Sequence, residues 1–370
     1  MMKKTQIAVG LIALGLSATS FGDVTFGGSR AAGMGGAGLA LPLDIGNNYR
    51  MNPAFLGFGS KAPSLQWPSI GYKLDGFSLT NVRDVVSNIN HGGLDAAGIL
   101  TLARNYATEP KAVAFNGNVG FKIGGFAIGA SGEAGVNSVP NAVLQQWAQN
   151  GGDVNNVPVG SRMDAYGFGY QQTEIGYGSA LQTKAGKFTL GANLKRIKGY
   201  YAHKFADANT IQNNNQGGVQ NGSGLLTDFA TKESSALDFG VLYNLPKINN
   251  LYIGGLIQNA VEPNIKFNYE APGGGHPIIP DGFTPYKRNY NVGLGYMQDK
   301  LVVAADWIDL GNHAGNQQLR YGAELAISKN TFLRAGYNSQ TAFTYGLSFG
   351  GFNIQLGGKS PLTLSSVIRF

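Results

Sequence analysis

The sequence contains no cysteine, and only 13% of its 370 residues are charged. Without cysteine, a disulfide framework, a thiolate nucleophile and a cysteine-based metal site are all excluded. Clustered metal ligands are also missing, because the four histidines stand alone in different segments, at His91, His203, His276 and His313. These absences predict a protein that holds no metal ion and no cofactor.

Signatures of enzymes and of nucleic-acid binding are lacking as well. No phosphate-binding P-loop, Gly-x-Ser-x-Gly nucleophile elbow or paired-carboxylate signature rises above background in the sequence. Its formal net charge is +7, but the lysines and arginines are scattered, whereas a nucleic-acid surface needs a basic stripe. We therefore expect neither enzymatic activity nor a nucleic-acid partner.

No apolar run approaches the roughly 20 residues that a membrane-spanning helix needs. Residues 1–22 have a basic start, a short apolar run over Ile7–Leu16, and small residues at Ser20 and Gly22. This layout is typical of a cleaved secretory signal. Residues 1–22 are therefore predicted to be a signal peptide.

Glycine is abundant, at 56 residues, and it stands between alternating apolar residues. In the run Tyr290–Tyr296, aromatic and aliphatic residues alternate with asparagine and glycine, and the same period of two recurs at 237–244 and 345–349. A soluble sandwich also alternates, but its polar face carries charges. Many glycines and few charges instead indicate strands with one face towards lipid and one small, hydrated face towards a barrel interior.

Alternation and turn residues predict about fourteen strands, with twelve or sixteen as alternatives. The links between them alternate between short and long, as they do in outer-membrane barrels, where external loops are the long ones. The predicted strands span residues 64–74, 111–122, 125–138, 162–184, 187–204, 231–245, 249–269, 286–298, 300–310, 317–328, 330–338, 341–350, 351–359 and 361–370.

The predicted fold class is all-β. It is a transmembrane antiparallel β-barrel of about 14 strands, with an N-terminal hatch or plug inside the lumen and short helices in external loops. The predicted divisions are the signal peptide at 1–22, the hatch at 23–62 and the transmembrane barrel at 63–370.

The carboxyl end of the chain carries a second localisation signal. Leu362, Leu364 and Ile368 share one face of the last predicted strand, and the chain ends on the aromatic Phe370. This ending resembles the terminal-strand signal that bacterial barrel-assembly machinery recognises. Together with the signal peptide, it predicts a Gram-negative outer-membrane protein whose partners are outer-membrane lipid and the assembly machinery.

The front of the predicted mature chain is rich in glycine and alanine over 29–40, and continues to Asn52-Pro53-Ala54. Such a segment is too glycine-rich for a lipid-facing strand or a stable helix. It resembles the N-terminal hatch of the FadL family of long-chain fatty-acid and hydrocarbon transporters, and of their PorV-like and TraF-type relatives. The segments 254–263 and 333–337 look closer to the TraF-type branch.

The FadL resemblance implies that external hydrophobic loops catch the substrate and that a kink in the third strand opens the wall sideways. The third predicted strand carries Gly129, Gly132 and Gly135, which either mark such a kink or fit beside the hatch. Helix-like spacing at 81–90, 94–107 and 143–148 indicates external loop helices. These helices either form a groove for a lipophilic ligand or pack together over the rim.

Several polar residues fall on the predicted inner face. Among them, Arg334 and Arg369 are candidate contacts for a carboxylate head group, because a guanidinium pairs well with a carboxylate. The alternative is that they are ordinary lumen residues that bond to the hatch.

Two functions are consistent with these features. The first is FadL-like passive transport of hydrophobic small molecules, of the long-chain fatty acid or hydrocarbon type, across the outer membrane. The alternative is a non-transporting outer-membrane scaffold or shuttle of PorV or TraF type, in protein secretion or surface assembly. The polar insertion at 209–224 favours partner-facing loops.

Overall fold

The computed structural model describes residues 28–42, 48–58, 62–75, 107–108, 111–153, 156–184, 186–207, 230–246, 248, 250–267, 287–315, 317–340, 342–357 and 362–369. The predicted signal peptide, most of the loop helices predicted at 81–90 and 94–107, the insertion at 209–224 and Phe370 lie outside these residues. No helix in the described part of the chain is both long and apolar enough to span a membrane.

The described residues form mainly strands, and every pairing between neighbouring strands is antiparallel. The prediction of an all-β antiparallel architecture is confirmed. The strands are β1 (Ser64–Asp75), β2 (Lys111–Ile123), β3 (Phe126–Pro140), β4 (Arg162–Thr183), β5 (Gly186–Asp207), β6 (Ala230–Asn244), β7 (Leu251–Val261), β8 (Asn289–Gln298), β9 (Leu301–Ile308), β10 (Gln318–Ser328), β11 (Thr331–Asn338), β12 (Ala342–Phe349), β13 (Phe352–Gly357) and β14 (Leu362–Arg369).

Helices in the described residues are few and short. The α-helices are α1 (Gly28–Gly33) and α2 (Ala142–Gln149), and two 3-10 turns span Asn48–Arg50 and Pro53–Gly57. Three of these four elements lie before the first strand, so the chain begins its described part in non-strand structure.

The sheet closes on itself, because β1 pairs with both β2 and β14. Ser64 faces Lys122 on one side and Arg369 on the other. Each remaining strand pairs with its neighbours in sequence. Closure gives every strand two partners, so that no strand edge is left with unpaired backbone groups.

Burial alternates along the strands as the sequence does. In β12, Tyr345 and Phe349 are 59% and 71% exposed, whereas Ser348 between them is 4% exposed. In this strand, outward positions are therefore mostly large and apolar, while inward positions are polar or glycine. The period of two in the sequence corresponds to the two faces of this sheet.

Two strands depart from the predicted pattern. The strand predicted at 249–269 ends at Val261, since Asn259 has a positive φ of 51° and Pro263 follows, which cannot donate to a ladder. Strand β1 carries Pro68 and has one extra residue between Trp67 and Ile70, relative to its partner β14. The pairing of β6 with β7 also shifts register, between Leu237 and Phe239. Extra residues of this kind are bulges, which bend a strand locally.

Candidate functional site

The segment before β1 packs against the inward face of the closed sheet. We call it the inner segment, and it comprises residues 28–42 and 48–58. Its side chains at Met34, Ala40, Leu41 and Asn52 are fully buried. The interior of the sheet is therefore occupied by a part of the same chain.

Glycines of the wall make room for the first half of the inner segment. A Cβ added at Gly336 of β11 would lie 2.0 Å from the carbonyl carbon of Met34, and one at Gly322 of β10 would lie 2.5 Å from the Met34 oxygen. Gly35 itself has a φ of +69° and lies against the Tyr337 backbone. The wall and the inner segment thus meet backbone to backbone, which a larger residue would prevent.

The second half meets a second group of wall glycines. A Cβ added at Gly191 of β5 would lie 2.1 Å from the Pro53 oxygen, and one at Gly240 of β6 would lie 2.0 Å from Asn52 Oδ1. The glycine content of the strands therefore has a packing cause, in addition to the small, hydrated inner face expected from the sequence.

Asn52 fastens this half to the wall. Its Oδ1 accepts from the backbone N–H of Ala54 at 3.0 Å and so caps the 3-10 turn that begins at Pro53. Its Nδ2 donates to the carbonyls of Leu39 and Val241, both at 3.1 Å. The predicted hatch residues Asn52, Pro53 and Ala54 thus form a cap and a wall contact.

Polar wall residues satisfy the backbone of the first half. The Asp306 carboxylate accepts from the N–H groups of Gly38 at 2.7 Å and Leu39 at 3.0 Å. Thr344 Oγ1 accepts from the N–H of Gly35 at 2.9 Å. Buried backbone groups need such partners, so side chains of β9 and β12 supply the bonds that regular structure would otherwise supply.

A buried ion pair joins Arg50 of the inner segment to Glu174 of β4, with side chains 0% and 2% exposed. Arg50 Nη2 also donates to the carbonyls of Val119 and Ala130, both at 2.9 Å. Burial and then the Glu174 carboxylate raise the pKa of Tyr49, so its hydroxyl stays protonated and donates to that carboxylate at 3.2 Å. The pair is fully enclosed, and removing one partner would strand a charge.

A second buried cluster holds three charges. Glu324 of β10 pairs with Arg30 of α1, and it also accepts from Arg334 Nε at 2.6 Å. Glu324 and Arg334 face each other across β10 and β11. Arg334 Nη1 has no hydrogen-bond partner among the described residues. One carboxylate thus pairs with two guanidinium groups.

A third polar cluster lies where β6 and β7 lose register. Lys195 Nζ contacts Asp238 Oδ1 and Asn259 Oδ1, both at 2.6 Å, and the N–H of Asn259 donates to Asp238 at 2.7 Å. All three side chains are buried. Only the register of three strands brings them together.

An apolar cluster lies on the same inward face, and its first member in β5 is Ile197, two residues after Lys195. The chain after β7 leaves the sheet and places Phe267 against Tyr201, with ring centroids 5.7 Å apart. The buried members of this lumen cluster are Tyr170, Ile197, Tyr201, Ala236, Ile265 and Phe267. The described interior therefore has an apolar layer as well as a charged one.

Helix α2 packs on the rim. Asn141 caps it by accepting from the Leu144 N–H at 3.0 Å. Leu144 and Trp147 are buried with Val157 and Met163 in one cluster. Of the two alternatives for this segment, its described contacts fit packing over the rim.

The predicted kink glycines lie in an unbroken stretch of wall. Strand β3 pairs with β2 and β4 without a register shift over Phe126–Pro140. A Cβ at Gly129 would lie 2.4 Å from Arg50 Nη2 and from the Tyr49 hydroxyl, whereas Gly132 meets only wall backbone. Gly129 therefore fits beside the inner segment, and no bulge marks β3 in the described pairing. The lateral opening there stays a prediction.

The two candidate head-group contacts differ in what the structure describes. Arg334 points inward and pairs with Glu324. Arg369 lies in β14, and its side chain is outside the described part. The role of both residues towards a ligand stays a prediction.

No protein-family model matches the chain, and no curated protein matches it either. Among solved structures, the Pseudomonas putida toluene transporter TodX is 13% identical, with a TM-score of 0.47 over 95% of this chain and 98% of that one. A TodX mutant described as a monoaromatic hydrocarbon channel is 13% identical, with a TM-score of 0.48 over 92% and 96%. Outer membrane phospholipase A from Escherichia coli is 11% identical, with a TM-score of 0.29 over 84% and 93%.

Proposed function

We propose that the protein is an outer-membrane β-barrel of FadL type that carries a hydrophobic small molecule passively, with the inner segment as its hatch. The observation that carries this proposal is the closed sheet with apolar outward positions and an interior filled by residues of the same chain. An outward apolar band and a filled lumen are what a plugged outer-membrane barrel requires.

The outer face supports the membrane location. Large apolar side chains that are more than a third exposed occur on all the strands from β2 to β13. A soluble monomer rarely exposes a contiguous apolar area of this kind. Lipid is the partner that such a face fits.

The contacts of the hatch support movement without an energy source. The hatch is attached by hydrogen bonds and by the ion pairs of Glu174 and Glu324, and no disulfide ties it to the wall. Buried ion pairs contribute little net stability, because desolvation offsets most of their attraction. Displacing the hatch into water therefore exchanges these ion pairs for hydration at modest cost.

The interior supports an apolar cargo. The lumen cluster around Tyr201 and Phe267 makes part of the interior aromatic and aliphatic, as ligand sites usually are. For a fatty acid, Arg334 is the first candidate for the carboxylate, because its Nη1 has no hydrogen-bond partner among the described residues, and Arg369 is the second. We therefore propose the long-chain fatty acid or hydrocarbon class as cargo.

Native mass spectrometry of the detergent-solubilised protein, with extraction and identification of bound lipophiles, tests this function. We expect a stoichiometric fatty acid or hydrocarbon that Ala236→Glu removes, because Ala236 is buried in the lumen cluster and a charge there opposes apolar binding. The matched control is Thr231→Glu, at an exposed position of the same strand, and it should retain the lipophile.

A copurifying protein without any lipophile would contradict the transport proposal. It would instead support the scaffold or shuttle function that the resemblance to PorV-like and TraF-type proteins suggests.

A further inference from the structure

The outer face of the sheet carries a groove of about 490 Å³ across β5 to β8. Gly255 opens it, since a Cβ there would already lie 3.0 Å from Val241 Cγ1, and a longer side chain would fill the space. The groove's volume is in the range of small-molecule sites. Its outward side-chain lining is entirely apolar and consists of Leu190, Phe239, Val241, Ile257, Val292 and Leu310, with the ring of Tyr290.

The groove borders a break in the wall. Leu237 faces Val261, but the next facing pair is Phe239 with Ile257, so β7 has two more residues than β6 in this interval. Phe239 and Ile257 both line the groove. A bulge disrupts the local ladder, so the strands beside the groove are held together by fewer backbone bonds than their neighbours.

A cluster of polar side chains lies on the inner side of this break. Lys195, Asp238 and Asn259 fill it with the hydrogen bonds described above. Beyond them lies the apolar lumen cluster, which includes Ala236 of β6 and Ile265 of the chain that follows β7. Apolar surface therefore lies on both sides of the wall, separated by one polar cluster.

The hatch touches the back of the same groove. Asn52 Nδ2 donates to the carbonyl of Val241 at 3.1 Å and reaches that of Gly255 at 3.5 Å. Val241 and Gly255 face each other across β6 and β7, and both line the groove. Moving the hatch would remove these contacts from the strand pair that contains the break.

We propose that the groove over Gly255 binds one molecule of apolar cargo on the bilayer side of the wall, at the break between β6 and β7. This inference rests on the proposed transport of a hydrophobic molecule. The cargo is favoured over bulk lipid because the break, the lumen cluster and the hatch contact coincide at this groove, and bulk lipid requires none of them.

Trp307 provides a reporter for binding, because it points outward and faces Val292 of the groove. The probe is 1-bromododecane, a quencher, titrated into vesicles of unbrominated phosphatidylcholine that contain the full chain. We expect saturable quenching that Trp307→Phe removes. Gly255→Leu should abolish the saturable part, whereas Ala335→Leu, at an outward position of β11, should retain it.

Strictly linear quenching in the wild type, or equal saturable quenching in the Gly255→Leu variant, would overturn the proposal, because both indicate bulk partition only. The titration requires no transport. An absence of cargo uptake by the wild type would therefore contradict the proposed function, and the binding result would still decide the groove.

A disulfide lock tests whether the break serves the passage of cargo. The chain has no cysteine, so Phe239→Cys with Ile257→Cys introduces one pair at facing positions, whose Cα separation suits a disulfide. We expect oxidation to abolish uptake of radiolabelled dodecane by cells that produce the variant, and reduction to restore it. The control pair is Leu294→Cys with Ala305→Cys, which face each other in β8 and β9. Uptake that persists after oxidation of the first pair would overturn passage at this break.

Discussion

Strand β3 and the β6–β7 pair invite comparison, because the sequence points to a break in the first and the structure has it in the second. Strand β3 carries Gly129, Gly132 and Gly135, yet it keeps its register with both neighbours. Strand β7 loses register at Asn259, which is not a glycine but has a φ of +51°. Glycine density therefore does not locate the bulge in this wall.

The two regions differ in what their special residues contact. Gly129 lies against Arg50 and Tyr49 of the inner segment, so the absence of a side chain at Gly129 allows close packing. Asn259 instead bonds to Lys195 and to Asp238 through its own side chain and N–H, and asparagine tolerates the left-handed conformation better than most residues. A polar network thus stabilises the break between β6 and β7, whereas Gly129 makes room for the inner segment.

The largest expected effect in this comparison comes from Lys195→Met. The substitution leaves Asp238 buried without a countercharge, so we expect a loss of about 3–5 kcal/mol in the free energy of unfolding. Urea unfolding in lipid vesicles measures it. Lys198→Met is the matched control in the same strand, because Lys198 is 40% exposed and 3.6 Å from Glu233, and exposed pairs of this kind contribute little to stability. Equal losses in the two variants would contradict a special role for the break.

The next effect concerns the glycines that contact the inner segment. Gly240→Ala places a Cβ 2.0 Å from Asn52 Oδ1 and 2.8 Å from Pro53 Cδ, and overpacking of this kind costs about 1–3 kcal/mol. We expect the inner segment to be displaced and its residues to become sensitive to protease, which limited proteolysis measures. A Cβ at Gly132 meets no atom of the inner segment within 4 Å. Gly132→Ala should therefore leave the inner segment protected from protease. Protection from protease in both variants would show that Gly240 does not position the inner segment.

A smaller effect separates backbone conformation from side-chain bonding at the break. Asn259→Gly and Asn259→Ala both remove the amide, but only glycine accepts a positive φ at no cost. We therefore expect the alanine variant to be less stable than the glycine variant by about 1 kcal/mol. Unfolding midpoints of the two variants measure the difference. Equal midpoints would indicate that the positive φ is not what shapes β7.

The smallest effect lies just beyond the break. The backbone N–H of Arg288 donates to Glu262 at 2.7 Å and holds the pKa of that carboxyl below its ordinary value. A lowered pKa stabilises the fold above the unfolded pKa of about 4.3, and this contribution is lost as the pH falls through the folded value. We expect Glu262→Gln to lose slightly less stability than the wild type between pH 7 and pH 3. Parallel pH profiles of the two unfolding midpoints would argue against the bond.

Much of the fold could be predicted from the chain, because a strand with two different environments needs a period of two. The alternation at 290–296 and the positions of the short turns predicted most strands to within a few residues. The end of β7 could not be placed in this way, since Ile265 and Phe267 continue an apolar alternation while packing inside the sheet. Apolar residues of a folded-in segment and of a strand look alike in sequence.

The candidate site was less predictable. Asn52-Pro53-Ala54 was identified as a motif, but its contact with Val241 depends on a pair of residues 189 positions apart. The pairing of Arg334 with Glu324 follows once the β10–β11 register is known. Lys195 gave no signal of its own, because one lysine among many scattered lysines looks like a solvated residue.

The sequence by itself determined the antiparallel strand architecture and which side chains point outward, because periodicity is a local property that each segment carries alone. Only the tertiary structure decided which glycines meet the inner segment, which carboxylates pair with Arg30 and Arg50, and where the pairing of β6 with β7 breaks. Those features depend on strand register and on the closure of β1 onto β14. Register and closure bring together residues that no local pattern connects.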